Sequence, residues 1–309
     1  MDAFYSDRFV LPLPAGHRFP MQKYRLLRER ISQALPEVRL REPEPLTDAA
    51  LAVAHCPDYI RRLVCGDLSR KEMMAIGFPW SPEMVERSRR SAGATVMACR
   101  AAFRDGIGIN LAGGTHHAYS DRGEGFCCFN DAVIAARLMR QEGLAARCLI
   151  IDLDVHQGNG TAAMTRDDPN IFAFSMHGAE NYPFVKEQSD LDIELPDGTS
   201  DEMYLMSLQA ALIQIRNQFS PDLVIYLAGA DPFYDDRLGR LALSKPGLLA
   251  RDSQVMAFAR DLGLPLSIAM AGGYGRNIQD TVDIHFQTVN CALQYKNDKS
   301  GPSEASLSY

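Results

Sequence analysis

Two separated stretches of the sequence carry acidic and imidazole side chains at spacings that suit a divalent cation. Asp154-Val155-His156 sets a carboxylate and an imidazole two residues apart, so extended backbone would project both from one face. Asp231, which follows Gly229-Ala230, offers a third ligand from a distant segment. Three protein ligands leave coordination positions for water and substrate, as a catalytic metal requires. Alone, Asp-x-His also fits a helix cap followed by an ordinary loop histidine. Asp231 and a histidine pair upstream argue against that plainer reading.

The pair is His116-His117, in the glycine-rich stretch Gly113-Gly114-Thr115. One of the two is a candidate general base for activating water. Each needs an oriented ring, and Asp152 and Asn159 are placed to set the tautomers. Tyr274 follows Gly272-Gly273, where glycine lets the chain turn sharply and the phenol donate to a developing oxyanion. His17, His55 and His285 stand apart from any motif and read as structural. The methionines read as core filler.

Short apolar runs must position these groups. Gly108–Leu111, Cys148–Leu153, Ile171–Phe174, Leu223–Leu227 and Leu266–Met270 are nearly continuous rather than alternating. That suits strands buried on both faces of a parallel sheet. Helical signals lie between them. Ser81-Pro82-Glu83 opens a helix to about Phe103, Asn130-Asp131 one through Met139, and Ser200-Asp201-Glu202 one through Phe219. Two more run from Gly247 to Asp261 and from Ile278 to Tyr295. The alternation predicts a single three-layer α/β domain with a mainly parallel central sheet flanked by helices. That domain spans 1–295, and the polar stretch 296–309 reads as a disordered tail. Each apolar run leads into polar residues: His116-His117, Asp154-x-His156, Ser175-Met176-His177, Asp231 and Tyr274. Open parallel sheets bind ligands beyond the carboxyl ends of their strands, so the five arrivals read as one site.

Composition narrows the class. The chain has 309 residues, 46% of them hydrophobic, and a formal net charge of -7. No dense basic block points to nucleic acid. No run approaches the ~18 apolar residues of a membrane span. Seven cysteines, without C-x-x-C spacing, suit a reducing, cytoplasmic setting.

Together the motifs resemble the histone deacetylase family, within the arginase–deacetylase fold superfamily. They are Gly113-Gly114-Thr115-His116-His117-Ala118, Asp121-Arg122-Gly123-Glu124-Gly125-Phe126-Cys127, Asp152 to Gly160, Gly229-Ala230-Asp231, Asp236-Arg237-Leu238-Gly239 and Gly272-Gly273-Tyr274. Gln157 and Asn159, with the Asp121–Cys127 stretch, are similar to class IV deacetylases and their bacterial relatives. Gly158 stands where binuclear ureohydrolases of the superfamily carry a bridging Asp, which argues for one catalytic metal. The resemblance implies zinc held by Asp154, His156 and Asp231. The oxygen-rich set also suits iron(II), cobalt or manganese. It implies His117 as base and then acid, oriented by Asn159; His116 paired with Asp152; and Tyr274 polarising the substrate carbonyl. It further implies a structural potassium near Asp152, Ser175 and the backbone of Asp154, His156 and Met176. Phe126 and Tyr182 would flank a tunnel bounded by Gly125, Gly272 and Gly273, with Leu238 near its mouth. The implied reaction is removal of acyl groups, including long ones, from acyl-lysine peptides or proteins. Two alternatives are hydrolysis of acetylated polyamines or other small N-acyl amines, and a non-catalytic binding protein on the same fold.

Overall fold

The computed structural model describes residues 1–7, 11, 13, 14 and 16–297. Residues 298–309 of the predicted tail lie outside the described residues. In chain order the elements are β1 (Asp2–Phe4), α1 (Gln22–Ala34), β2 (Arg39–Arg41), α2 (Asp48–Leu51), α3 (Pro57–Cys65), α4 (Arg70–Ile76), α5 (Pro82–Asp105), β3 (Ile107–Asn110) and α6 (Asp131–Gln141). There follow β4 (Cys148–Asp152), α7 (Asn159–Thr165), β5 (Ile171–Gly178), β6 (Leu191–Leu195), α8 (Asp201–Gln218), β7 (Leu223–Leu227), α9 (Lys245–Asp261), β8 (Leu266–Ala269) and α10 (Ile278–Asn297).

The eight strands form one sheet in the order β2-β1-β3-β8-β7-β4-β5-β6, and every pairing is parallel. The five apolar runs of the sequence occupy its middle. Alternate side chains feed two cores. Leu149, Ile151, Val224, Tyr226 and Ile268 pack with α1, α8, α9 and α10. Ile150, Leu223, Ile225 and Ala269 pack with α3, α5 and α6. Burial on both faces is why these strands carry no polar alternation.

Helix starts follow their caps. Ser81 Oγ accepts from the Met84 amide at 3.1 Å, and Asn130 Oδ1 accepts from Val133 at 3.1 Å. Ser244 Oγ accepts from Gly247 at 3.0 Å, so α9 begins at Lys245, two residues before the sequence expectation. Sequence reasoning passed over β1, β2 and β6. The first two are three residues long, and β6 is largely half-exposed, so none shows a continuous apolar run. It also passed over the shorter helices α2, α3, α4 and α7, and over α1, whose Tyr24, Leu27 and Ile31 do recur at helical spacing. β5 continues to Gly178. Ser175 and Met176 therefore lie within the strand rather than beyond it.

Candidate active site

The carboxyl ends of β3, β4, β7 and β8 bring their polar residues to one place. Ligand atoms of Asp154, His156 and Asp231 all lie within 4.8 Å of one another, and all three residues are buried. His156 Nδ1 sits 2.9 Å from Asp154 Oδ1 and 3.3 Å from Asp231 Oδ2. Ligands around a tetrahedral zinc at ~2.0–2.1 Å stand about 3.3 Å apart.

Backbone amides hold the carboxylates. Gly272 N donates to Asp154 Oδ2 at 2.8 Å, and Val155 N donates to Asp231 Oδ1 at 2.9 Å. Asp231 Oδ2 is buried and receives no hydrogen bond among the described residues. Burial, then the neighbouring Asp154 charge, raises the Asp231 carboxyl to about 7. Two buried carboxylates with an unpartnered oxygen fit a cation, which would neutralise both. A Cβ at Gly272 would fall 1.9 Å from Asp231 Oδ2, so only glycine packs against this set. A Cβ at Gly158 would fall 2.4 Å from Asp152 Oδ2. A bridging side chain at that position would displace the group that holds His116.

The two histidines sit in different electrostatic surroundings. His116 Nδ1 meets Asp152 Oδ2 at 2.6 Å. Burial opposes charging of this ring, but Asp152 and Asp154 outweigh it and raise His116 to about 9. His117 is held well below the usual imidazole value, by burial first and then by His116 and His156. Its Nδ1 lies 2.7 Å from Asn159 Oδ1. An amide oxygen only accepts, so Nδ1 carries the proton and Nε2 is left with its lone pair. The amide orientation is itself fixed, because Asn159 Nδ2 donates to Tyr119 Oη at 3.1 Å and to Glu124 Oε2 at 3.4 Å. Tyr182 Oη also donates to Glu124 Oε2, at 2.9 Å. Glu124 thus supplies a carboxylate one side chain behind Asn159. Gln157 turns away from the site, its amide bridging Glu187 and Asp192.

Tyr274 lies beside these groups, 6.4 Å from His156 between ring centroids. Burial, then the charges of Asp154 and Asp231, raises its phenol well above the ordinary value, so it keeps its proton. Its backbone amide donates to Asp236 Oδ2 at 2.6 Å, while Asp236 Oδ1 accepts from Leu238 and Gly239.

Two cavities open from this centre. An inner chamber of about 40 Å³ is lined by His116, His117, Asp154, His156 and Tyr274, with Tyr24 and Arg87. An outer one of about 690 Å³ is lined by Gly125, Phe126, Tyr182, Leu238 and Tyr274. Gly272 borders the inner chamber. Phe126 is held at φ 68° by hydrogen bonds from Gly125 N and Phe126 N to Ala75 O and Ile76 O. Non-glycine backbone in that region marks functional sites. Of the three histidines read as structural, His17 borders the outer cavity's wall through Phe126. It stacks on Phe78, meets Phe126 edge-on, and hydrogen-bonds Gly77 O. His55 Nε2 accepts from the Asn130 amide at 2.9 Å, and His285 is buried.

The candidate potassium residues adjoin as well, with Asp152 and Ser175 opposite one another in the β4–β5 register.

Several residues that brace the site carried no functional role in the sequence reading. Asp131 accepts from the Gly114 and Thr115 amides at 2.9 and 2.7 Å, fixing the loop before His116. Lys23 Nζ donates to Ala271 O and Gly273 O. Arg251, fully buried, donates to Leu153 O and Gly229 O. It thereby ties together the two strand ends that bear Asp154 and Asp231. Its charge is met by Asp252, which also accepts from Tyr226 and Thr288.

A histone deacetylase domain matches residues 17–289. The chain belongs to the histone deacetylase family. It is 42% identical over 283 residues to an uncharacterized protein of Picosynechococcus sp., covering 91% of this chain and 94% of that one. It is 32% identical to histone deacetylase 2 of Arabidopsis thaliana, covering 81% of this chain and 68% of that one. A crystal structure of a histone deacetylase homologue complexed with SAHA superposes with a TM-score of 0.81 at 25% identity, over 94% of this chain and 83% of that one. A homologue from Aquifex aeolicus gives 0.79 at 25% identity with the same coverage. The family makes this a deacetylase-type amidohydrolase, and the all-parallel sheet flanked by helices is the family fold. Among the described residues, no helix is long and apolar enough to cross a membrane.

Proposed function

We propose that this deacetylase is a zinc-dependent, class IV-like lysine deacylase that hydrolyses N-ε-acyl-lysine with His117 as its base. The observation that carries the reading is the convergence of Asp154, His156 and Asp231 on one another, with Asp154 and His156 bordering a small chamber that His117 and Tyr274 also line. Those three residues would hold the cation. Bound there, it supplies Lewis acidity that polarises an amide carbonyl and makes water more acidic.

The protein's own groups do the rest. His117 Nε2, free of a proton, takes one from the attacking water and passes it to the nitrogen as the C–N bond breaks, so the amine leaves neutral. Tyr274 Oη donates to the carbonyl oxygen as charge develops on it. Asp152 keeps His116 as imidazolium, which adds positive charge beside that oxyanion. Phe126 and Tyr182 flank the path for the lysine stem, and Leu238 stands at its mouth. A structural potassium near Asp152, Ser175 and the backbone of Asp154, His156 and Met176 belongs to the same reading.

An inner chamber of about 40 Å³ has room for roughly three water molecules at ~10–15 Å³ of comparable volume each. Its size supports a short acyl group over a fatty one. Arg87 lines it, with a buried Nε that has no hydrogen-bond partner among the described residues, and offers a carboxylate product a cation to meet. All seven cysteines are unpaired, which supports a reducing, cytoplasmic compartment. The intact ligand set speaks against a purely binding role.

The test is turnover of lysine peptides bearing acyl groups from acetyl to myristoyl, with metal analysis of the same sample. The expected result is preferential release of short acyl groups by protein holding one metal per chain. Failure of metal-replete protein to hydrolyse any acyl-lysine would overturn the reading.

A further inference from the structure

The mouth of the outer cavity has a charge opposite to that of the chain. The whole protein carries a formal net charge of -7. Yet the cavity is lined by Arg18, Arg237 and Arg240, with Glu180 the only carboxylate among its described lining residues. All four are exposed. The nearby acids are engaged elsewhere: Glu124 by Tyr182 and Arg122, and Asp235 by Arg276. Arg240 shares its charge with Asp197 at 3.2 Å, but both side chains of that pair are about half exposed, so the pair is weak and screened. Arg237 is steadied by donating to the Arg276 carbonyl at 3.1 Å, and among the described residues its guanidinium meets no carboxylate. Met74, Phe184 and Leu238 line the same cavity, the first two largely exposed apolar groups at 71% and 82%.

A lysine side chain needs only the narrow path past Phe126. The additional space, about 690 Å³ in all, and the apolar shelf fit flanking residues of a polypeptide rather than a lone small amine. Guanidinium groups pair with carboxylates in planar, two-point fashion and repel a polyamine, whose remaining amines are cationic. We propose that the mouth selects acyl-lysine within an acidic polypeptide segment, with carboxylates beside the modified lysine engaging Arg18, Arg237 and Arg240. This rests on the deacylase reading and narrows it to a substrate class.

The experiment compares three acetyl-lysine peptides of equal length, flanked by Asp/Glu, by Ala/Ser, or by Lys/Arg, and an N-acetylated polyamine. All are assayed with zinc-loaded full-length protein at low and high salt. The expected order of kcat/KM is acidic, neutral, basic, with roughly tenfold or more between the extremes at low salt and convergence as salt rises. The double variant Arg18→Glu with Arg240→Glu should invert the order of acidic and basic peptides, which a merely structural loss does not do. Equal or reversed preference in the unmodified protein, or a preference indifferent to salt, overturns the proposal while leaving deacylation intact. Faster turnover of the polyamine overturns it as well. If none of the peptides is hydrolysed, the deacylase reading itself fails. Titration of the same peptides against the protein then decides the mouth's preference, and equal affinities count against it.

Discussion

The inner site and its mouth are built by different rules. Around Asp154, His156 and Asp231 nearly every group is buried and held from several directions, by backbone amides, by glycines packed against carboxylates, and by Arg251 behind two strand ends. At the mouth, Met74 of α4 stands exposed with Tyr182, Phe184 and three arginines on loops, steadied by few contacts. The contrast separates tasks. Chemistry needs geometry fixed to fractions of an ångström and so is placed where packing over-determines each side chain. Selection among substrates tolerates motion and resides in long side chains at the surface.

Substitutions sharpen that contrast. Tyr274→Phe should lower kcat by about 10²–10³-fold, the usual effect of losing one oxyanion donor, with metal content unchanged. Unaltered turnover would place the phenol outside the reaction. Arg251→Met touches neither substrate nor metal. It leaves Asp252 buried without its cation and frees the Leu153 and Gly229 carbonyls. Loss of one partner of a buried pair costs ~3–5 kcal/mol, and loosening of a supporting shell weakens metal binding ~10–100-fold. Urea unfolding and competitive metal titration read the two effects separately. A variant that keeps normal metal affinity would show that the strand ends need no brace.

Protonation is a gentler probe of the buried region. Burial lowers His55 from its ordinary 6.5 to about 4, and its Nε2 must stay unprotonated to accept from the Asn130 amide. Its folded value lies below its unfolded one, so the stability it contributes is full above pH ~6.5 and is lost as pH falls from there toward 4, at up to ~1.4 kcal/mol per pH unit. His55→Gln should flatten the acid limb of a plot of unfolding free energy against pH. An unchanged slope would exclude His55 as its source. At the other extreme, Phe184→Ser should change stability by no more than ~0.5 kcal/mol and act, if at all, on KM. A large loss of thermal stability would mean that the mouth is as tightly built as the interior.

The same division explains what the sequence made legible. The five central strands were visible because burial on both faces removes polar residues from them. The candidate metal triad was visible because residue type and two-residue spacing carry its chemistry directly. β1, β2 and β6 escaped because three residues, or a half-exposed edge, leave no apolar run. Arg251, Asp131, Asp236 and Glu124 escaped as bracing residues for another reason. Their roles arise only when distant segments meet, as Arg251 of α9 meets the end of β4. The faint signal was a charged Arg251-Asp252 pair inside a helix that is otherwise largely apolar on its core face. Asp236 and Glu124 lay in recognised motifs, yet nothing in their spacing says which amide each one holds.

Metal titration tests the centre most directly. Protein stripped of metal, then titrated with zinc while binding and acetyl-lysine turnover are followed together, should regain activity in proportion to one equivalent per chain. Asp231→Ala should neither bind that equivalent tightly nor recover turnover. Full activity in rigorously stripped protein, a requirement for two equivalents, or tight stoichiometric binding by Asp231→Ala would contradict the account.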